Sequence, residues 1–222
     1  MIKAILFDMD GTLFDTEAVL GAGWEELVRQ GKMPREILSL YPLYCGVSRV
    51  ETKKAYRAVF GENFPIDEMY ELRDKYMNEF LDREGVPLKP YVPQIFDRLR
   101  ERGMRIGLVT STRRQSVDAH MRRTGFGGYF EHIVSGDRVE RSKPAPDIYL
   151  LAAREMGLLP EECLVVEDSV NGVRSGASAG MRVVMIPDRI QPTEEIRALT
   201  VAVCKTLEEL PAILDRLNGE RL

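Results

Sequence analysis

Two aspartates, Asp8 and Asp10, stand one residue apart where the apolar run Ile2-Lys3-Ala4-Ile5-Leu6-Phe7 stops, and Gly11-Thr12 follow them. Carboxylates delivered to the end of a buried strand can hold a cation against a phosphate, and one of them can attack phosphorus. A calcium loop does not fit. With Asp8 in first place, the obligatory glycine would fall on Leu13 and the bidentate glutamate on Val19. A plain surface turn fits poorly too, because the acids directly end a core-type strand.

Three later strand ends carry polar groups of complementary kinds. Thr110-Ser111-Thr112 offers hydroxyls and amides suited to phosphate oxygens, although Ser and Thr are also ordinary helix caps. Arg141-Ser142-Lys143-Pro144 offers the positive charge of Lys143, and Glu167-Asp168-Ser169 a second acidic pair. Two acidic pairs on neighbouring strand ends repel each other unless something positive lies between them. A Mg²⁺ ion that keeps several waters and borrows a phosphate oxygen meets that need.

The elements that would bring these groups together follow from periodicity. Apolar strands at 105–110, 132–135, 163–167 and 181–186 alternate with helical patterns at 93–102, 113–124, 146–156 and 171–179, four of them stopped by Gly103, Gly125, Gly157 and Gly180. Residues 201–203 read as an edge strand and 207–217 as a closing helix. Such alternation predicts an α/β fold: a Rossmann-like parallel sheet core with helices on both faces, its strand carboxyl ends on one side where ligands bind. Between Thr16 and Val86 the alternation breaks into three or four helices, punctuated by Pro34, Pro42, Gly46, Gly61 and Pro65. The expected organisation is an α/β catalytic core of residues 1–15 and 87–222 with an inserted α-helical cap domain, residues 16–86.

Composition narrows the function classes. Lys plus Arg number 31 against 35 Asp plus Glu, a formal charge of −4, so no global basic field attracts nucleic acid or an anionic membrane. No apolar run approaches a membrane span, and the start shows no signal-peptide pattern. Three scattered cysteines suit a reducing cytoplasm, and two histidines leave little for a zinc site. A cytoplasmic enzyme acting on a small molecule, with no nucleic-acid or membrane partner and no need to be more than a monomer, is expected.

Taken jointly, Asp8-Met9-Asp10-Gly11-Thr12, Val109-Thr110-Ser111, Ser142-Lys143-Pro144-Ala145-Pro146-Asp147 and Val166-Glu167-Asp168-Ser169 with Asn171-Gly172 resemble the motifs of the haloacid dehalogenase-like hydrolase superfamily. Across essentially the whole chain the resemblance is to its helical-cap group, which includes β-phosphoglucomutase and small sugar-phosphate phosphatases. It implies that Asp8 attacks phosphorus and becomes an aspartyl-phosphate, and that Asp10 is general acid and then base. It also implies that Thr110, Ser111 and Lys143 bind the transferring phosphoryl group, and that Asp8, Asp10 (through its carbonyl), Glu167 and Asp168 hold Mg²⁺. Dehalogenation is not expected, since expelling halide needs neither an acid like Asp10 nor a metal pair.

In the cap, Gly46 and Arg49 resemble the substrate-contacting loop of the mutases, and Lys75 a cap lysine of those enzymes. Trp24 and Leu27 read as packing, Trp24 with the option of a pocket wall. One departure bears on the product. The mutases carry a histidine in the first cap helix, and Glu17-Ala18-Val19-Leu20-Gly21-Ala22-Gly23-Trp24 has none. Hydrolysis of a small phosphorylated metabolite, a sugar phosphate, is therefore expected over interconversion of β-glucose 1-phosphate and glucose 6-phosphate. Two other readings fit less. A signalling receiver domain leaves residues 16–86 unexplained, and a C–P bond hydrolase needs a Schiff-base lysine in the cap, for which Lys53, Lys54 or Lys75 would serve.

Overall fold

A computed structural model describes residues 1–44, 47 and 49–219. Strand β1 (Ala4–Phe7) leads into α1 (Thr16–Arg29), α2 (Ile37–Leu40), a 3-10 turn at Tyr41–Tyr44, α3 (Arg49–Phe60) and α4 (Ile66–Glu84). The chain then alternates as expected: α5 (Val92–Glu101), β2 (Arg105–Val109), α6 (Arg114–Thr124), β3 (His132–Val134), α7 (Asp147–Glu155), β4 (Cys163–Glu167), α8 (Val170–Ser178) and β5 (Arg182–Met185). The last elements are α9 (Glu194–Ala198), β6 (Ala202–Val203) and α10 (Leu210–Asn218).

Six strands form one parallel sheet in the order β3-β2-β1-β4-β5-β6. Its two faces are separate cores because successive strand residues point opposite ways. Ile5, Phe7, Leu164 and Val166 pack with α5, α6 and α10, while Ala4, Leu6, Cys163 and Val165 pack with α7 and α8. Every residue of β1 and β4 is buried, which is why both read as continuous apolar runs. Phe7 pairs with Leu108 on one side and Val166 on the other. The next residues, Asp8, Val109 and Glu167, therefore lie side by side at the carboxyl edge of the sheet.

Element ends differ from expectation by a residue or two. The closing segment differs more: a 3-10 turn at Leu207–Glu209 precedes α10, whose second residue is Pro211. Proline lacks the N–H of a continuing helix but suits a first turn, so α10 starts there. Helix α9 had no counterpart in the sequence reading; Thr193 caps it by accepting the N–H of Ile196 at 3.4 Å.

Residues 16–84 contribute α1 to α4, packed around Trp24, Ile37, Tyr56, Ile66 and Tyr70. The two connections to the sheet run together: Phe14 bridges antiparallel to Leu88, and the Asp15 and Lys89 amides donate to Pro87 and Leu13 carbonyls at 2.8 and 2.9 Å. The helical layer thus leaves and rejoins at one place, above the carboxyl end of β1. Among the described residues no helix is long and apolar enough to cross a membrane.

Candidate active site

β1, β2 and β4 hand their polar successors to one spot. The Asp8 amide donates to Val166 O at 3.0 Å and the Thr110 amide to Val134 O at 3.0 Å, so both residues extend the sheet's own hydrogen bonding. Lys143, in the loop between β3 and α7, reaches into this spot from the side. Its Nζ lies 2.6 Å from Asp8 Oδ1, 2.6 Å from Glu167 Oε1 and 3.2 Å from Val109 O. Burial alone would favour the neutral amine, but the two carboxylates outweigh it and push the lysine above its ordinary range.

Glu167, fully buried, is the organising anion. Oε1 also accepts from Tyr149 Oη at 2.8 Å, and Oε2 accepts from the Asp168 and Ser169 amides and from Ser169 Oγ at 3.2, 3.3 and 3.0 Å. Ser169 Oγ in turn accepts the Gly172 amide at 3.0 Å, capping α8. Gly172 must lack a side chain: a Cβ there would stand 1.9 Å from the Glu167 carboxyl carbon. Gly11 is constrained likewise, having φ +84° and only 2.3 Å between its would-be Cβ and Asp168 Oδ2.

Asp10 is held apart from this cluster. Its Oδ1 accepts from Thr16 Oγ1 at 2.5 Å and its Oδ2 from Thr112 Oγ1 at 2.7 Å, with Thr110 Oγ1 at 3.5 Å. Asp8, Glu167 and Asp168 instead bring ligand oxygens within 4.8 Å of one another. Burial pushes Asp8 well above the carboxylate range; Lys143 pulls back and Glu167 pushes further. Asp168 is raised by burial, then by Glu167 and Asp8, and Thr12 Oγ1 donates to it at 3.2 Å. Three clustered carboxylates thus stand against one ammonium, which bonds Asp8 and Glu167. An all-oxygen donor set with surplus negative charge fits a hard divalent cation such as Mg²⁺. Asp8 and Asp168 each accept from one protein donor, whereas the oxygens of Glu167 already take five.

Above lies a cavity of about 540 Å³ between the sheet's carboxyl ends and the helical layer, lined by Asp8, Asp10, Thr110, Ser111, Lys143 and Asp168 below and by Tyr41, Arg49 and Tyr70 above. Arg49 pairs with Asp74 at 2.7 Å, its guanidinium carbon 4.5 Å from the Tyr70 ring centroid. Lys75 is not at the cavity; it is exposed, 3.9 Å from Glu79. Gly46 lies outside the described residues. Lys53, paired with Asp67, and Lys54 are also absent from the lining. Trp24 packs edge-on to Tyr56 and Tyr70 in the interior of the helical layer and is no pocket wall.

Sequence reasoning missed Tyr149, Thr16, His120 and Arg123. The last two, on α6, line the cavity. Thr16 could have been suspected as a hydroxyl opening the helix that follows Asp15; the others look like ordinary helix-face residues.

Comparison with known proteins agrees with this geometry. The model of the haloacid dehalogenase-like hydrolases matches residues 2–180. The protein CbbY of Rhodobacter capsulatus is 32% identical over 95% of this chain and 99% of its own. Hexitol phosphatase A of Escherichia coli is 32% identical over 83% of this chain and 82% of its own. The crystal structure of CbbY from Rhodobacter sphaeroides with phosphate superposes with a TM-score of 0.79 at 28% identity, covering 97% of this chain and all of that one. On these motifs, this sheet and these relatives, the chain belongs to the haloacid dehalogenase-like hydrolases, as a phosphoric monoester hydrolase.

Proposed function

We propose that the chain is a Mg²⁺-dependent phosphatase acting on a small phosphorylated metabolite, a sugar phosphate, through an aspartyl-phosphate on Asp8. The observation that carries this reading is the placement of Asp8 at the cavity floor, 2.6 Å from Lys143 and beside Asp168. Residues 1–15 and 87–222 act as the catalytic core in this reading, and residues 16–86 as the cap.

Asp8 attacks phosphorus as the bond to the leaving alcohol breaks, and Asp10 gives that oxygen its proton. Asp10 then takes a proton from water, which attacks the phospho-aspartate, releasing phosphate and restoring Asp8. Splitting one displacement into two lets each step use a positioned nucleophile, and acid–base help of this kind contributes roughly 10²–10⁴-fold. Thr110, Ser111 and Lys143 hold the phosphoryl oxygens, where charge spreads in the transition state. Asp8 and Asp168, with the Asp10 carbonyl and Glu167 behind them, would hold Mg²⁺, whose charge offsets the crowded carboxylates and the phosphate oxygens.

Hydrolysis is favoured over mutase transfer because α1 brings Leu20 and Glu17, and no histidine, to the cavity. The sugar preference is supported by relatives named for hexitol phosphate hydrolysis and N-acetylmuramic acid 6-phosphate hydrolysis. The test is a phosphate-release screen with Mg²⁺ over sugar phosphates, glycerol phosphates, phosphoglycolate and nucleotides, with β-glucose 1-phosphate assayed also for glucose 6-phosphate. Release from sugar esters that Asp8→Asn abolishes is expected. Near-wild-type turnover by Asp8→Asn would overturn the nucleophile, and dominant glucose 6-phosphate would reverse the choice of hydrolysis.

A further inference from the structure

The helical side of the cavity carries a balanced set of charges. Two guanidiniums line it, Arg49 from the start of α3 and Arg73 from α4, and Asp74 lines it with them. Arg73 donates to Asp74 Oδ1 from Nε at 3.2 Å and from Nη2 at 2.6 Å, and Arg49 Nη2 lies 2.7 Å from Asp74 Oδ2. One carboxylate therefore takes both arginines, one on each oxygen. Aromatic rings fix the cations as well: both guanidinium carbons lie 4.5 Å from the Tyr70 centroid, and that of Arg73 lies 4.9 Å from the Trp24 ring. Glu17 is the other charged residue that α1 to α4 bring to the described lining, so two acids there cancel two cations.

This group is open to what enters the cavity, since the Arg49 and Asp74 side chains are 35% and 33% exposed. A guanidinium with its fork free binds carboxylate or phosphate strongly. Here two nitrogens of Arg73 and one of Arg49 are spent on Asp74, so an arriving anion meets a carboxylate between the two cations. A charge taken out of water without a partner is costly, and a site can reject a ligand by presenting it with like charge. The pattern repeats on α6, where Arg123 is held by Asp82 and Asn78. Arg113, just before that helix, lies close enough to Asp137 for its charge to be felt there. Leu20, Val47 and Met77 add uncharged surface to the same side of the cavity.

We propose that the cavity selects phosphate monoesters whose leaving group is uncharged, and that Asp74 sets this choice by occupying Arg49 and Arg73, which would otherwise hold a second anionic group of the substrate. This inference rests on the phosphatase reading and deepens it.

The test measures kcat/KM with Mg²⁺ for two matched pairs: glucitol 6-phosphate against 6-phosphogluconate, and fructose 6-phosphate against fructose 1,6-bisphosphate, counted per ester group. The wild type should favour the neutral member of both pairs about tenfold or more. Asp74→Asn, which keeps the shape and removes the charge, should cut that preference about tenfold, the scale of one unit charge acting over about 10 Å at an effective dielectric constant of about 20. Adding Arg49→Met to Asp74→Asn should take back most of the gain on the anionic members, and a gain that survives it overturns the release of that guanidinium. Arg49→Met alone should instead steepen the wild-type preference, because Asp74 is then less compensated, and it serves if the asparagine variant fails to fold. A role confined to fastening α3 to α4 would slow all four esters alike, so an unchanged ratio overturns the role of Asp74. A wild type that hydrolyses the anionic members as well as the neutral ones, or better, overturns the selection alone. One that hydrolyses none overturns the phosphatase reading, and the selection with it.

Discussion

Lys143 Nζ stands 2.6 Å from Asp8 Oδ1 while bonded at the same distance to Glu167, so one buried ammonium holds two acids from adjacent strands. Removing it would leave two buried carboxylates facing each other. Breaking a buried pair in this way costs about 3–5 kcal/mol, because the remaining charge is uncompensated. Lys143→Met should lower unfolding free energy by that amount in urea and abolish phosphatase activity. Adding Glu167→Gln should restore part of the stability but not the activity. A loss below about 1 kcal/mol would mean that the triad is not what secures these loops.

Asp168 ties pH to metal. Its carboxyl is raised in the fold by burial, then by Glu167 and Asp8. Between its unfolded value of about 3.9 and that raised value the folded state binds the extra proton, so this group's contribution makes metal-free stability fall as pH rises. Mg²⁺ favours the ionised carboxylate, so stabilisation by Mg²⁺ should grow over the same rise. Asp168→Asn should therefore melt higher than wild type without metal near pH 7 and shift little on adding MgCl₂. Thermal unfolding with and without the salt, at several pH values, checks both signs. A variant with the wild-type Mg²⁺ shift would remove Asp168 from the metal site.

What could be read beforehand follows from how local each signal is. β1 and β4 are buried on both faces, so apolar runs marked them, and the acids ending them stood out by contrast. Tyr149 did not, because the hydroxyl that meets Glu167 sits on a residue indistinguishable in pattern from its packed neighbours Ile148 and Ala152. The Thr16–Asp10 contact arises from the turn at Gly11–Phe14, where the Gly11 amide donates to Phe14 O at 2.8 Å, folding the chain back on itself. Lys75 looked functional by position along α4, but helix rotation carries it to solvent.

Gly172 offers a test with a definite sign. Alanine in a helix interior normally gains up to about 1 kcal/mol over glycine. Here its Cβ would meet the Glu167 carboxyl at 1.9 Å, so Gly172→Ala should instead lose about 1–3 kcal/mol by overpacking, and activity should fall as Glu167 releases Lys143. Gly128, with no atom within 4 Å of a built Cβ, is the control, and Gly128→Ala should change stability by less than about 0.5 kcal/mol. Urea midpoints and phosphate release decide; a stabilised, active Gly172→Ala would refute the close approach.

Asp10 is fixed from both layers: Thr112 Oγ1 donates to Oδ2 from the end of the β2 loop, and Thr16 Oγ1 donates to Oδ1 from the first turn of α1. The second contact means that the helical layer helps to set the plane of the acid. If Asp10 acts as general acid and base, its orientation matters in the transition state more than in the ground state. Thr112→Val and Thr16→Val should each lower kcat about tenfold or more with little change in KM, while Thr→Ser at either place keeps most of the rate. Asp10→Asn should lose roughly 10²–10⁴-fold. A raised KM with kcat unchanged would show that the threonines act through substrate binding instead. A p-nitrophenyl phosphate substrate sharpens the comparison, because its good leaving group needs little protonation. The three variants should slow it much less than a sugar phosphate during phosphoryl transfer to Asp8, and a uniform loss on both substrates would take the acid role away from Asp10.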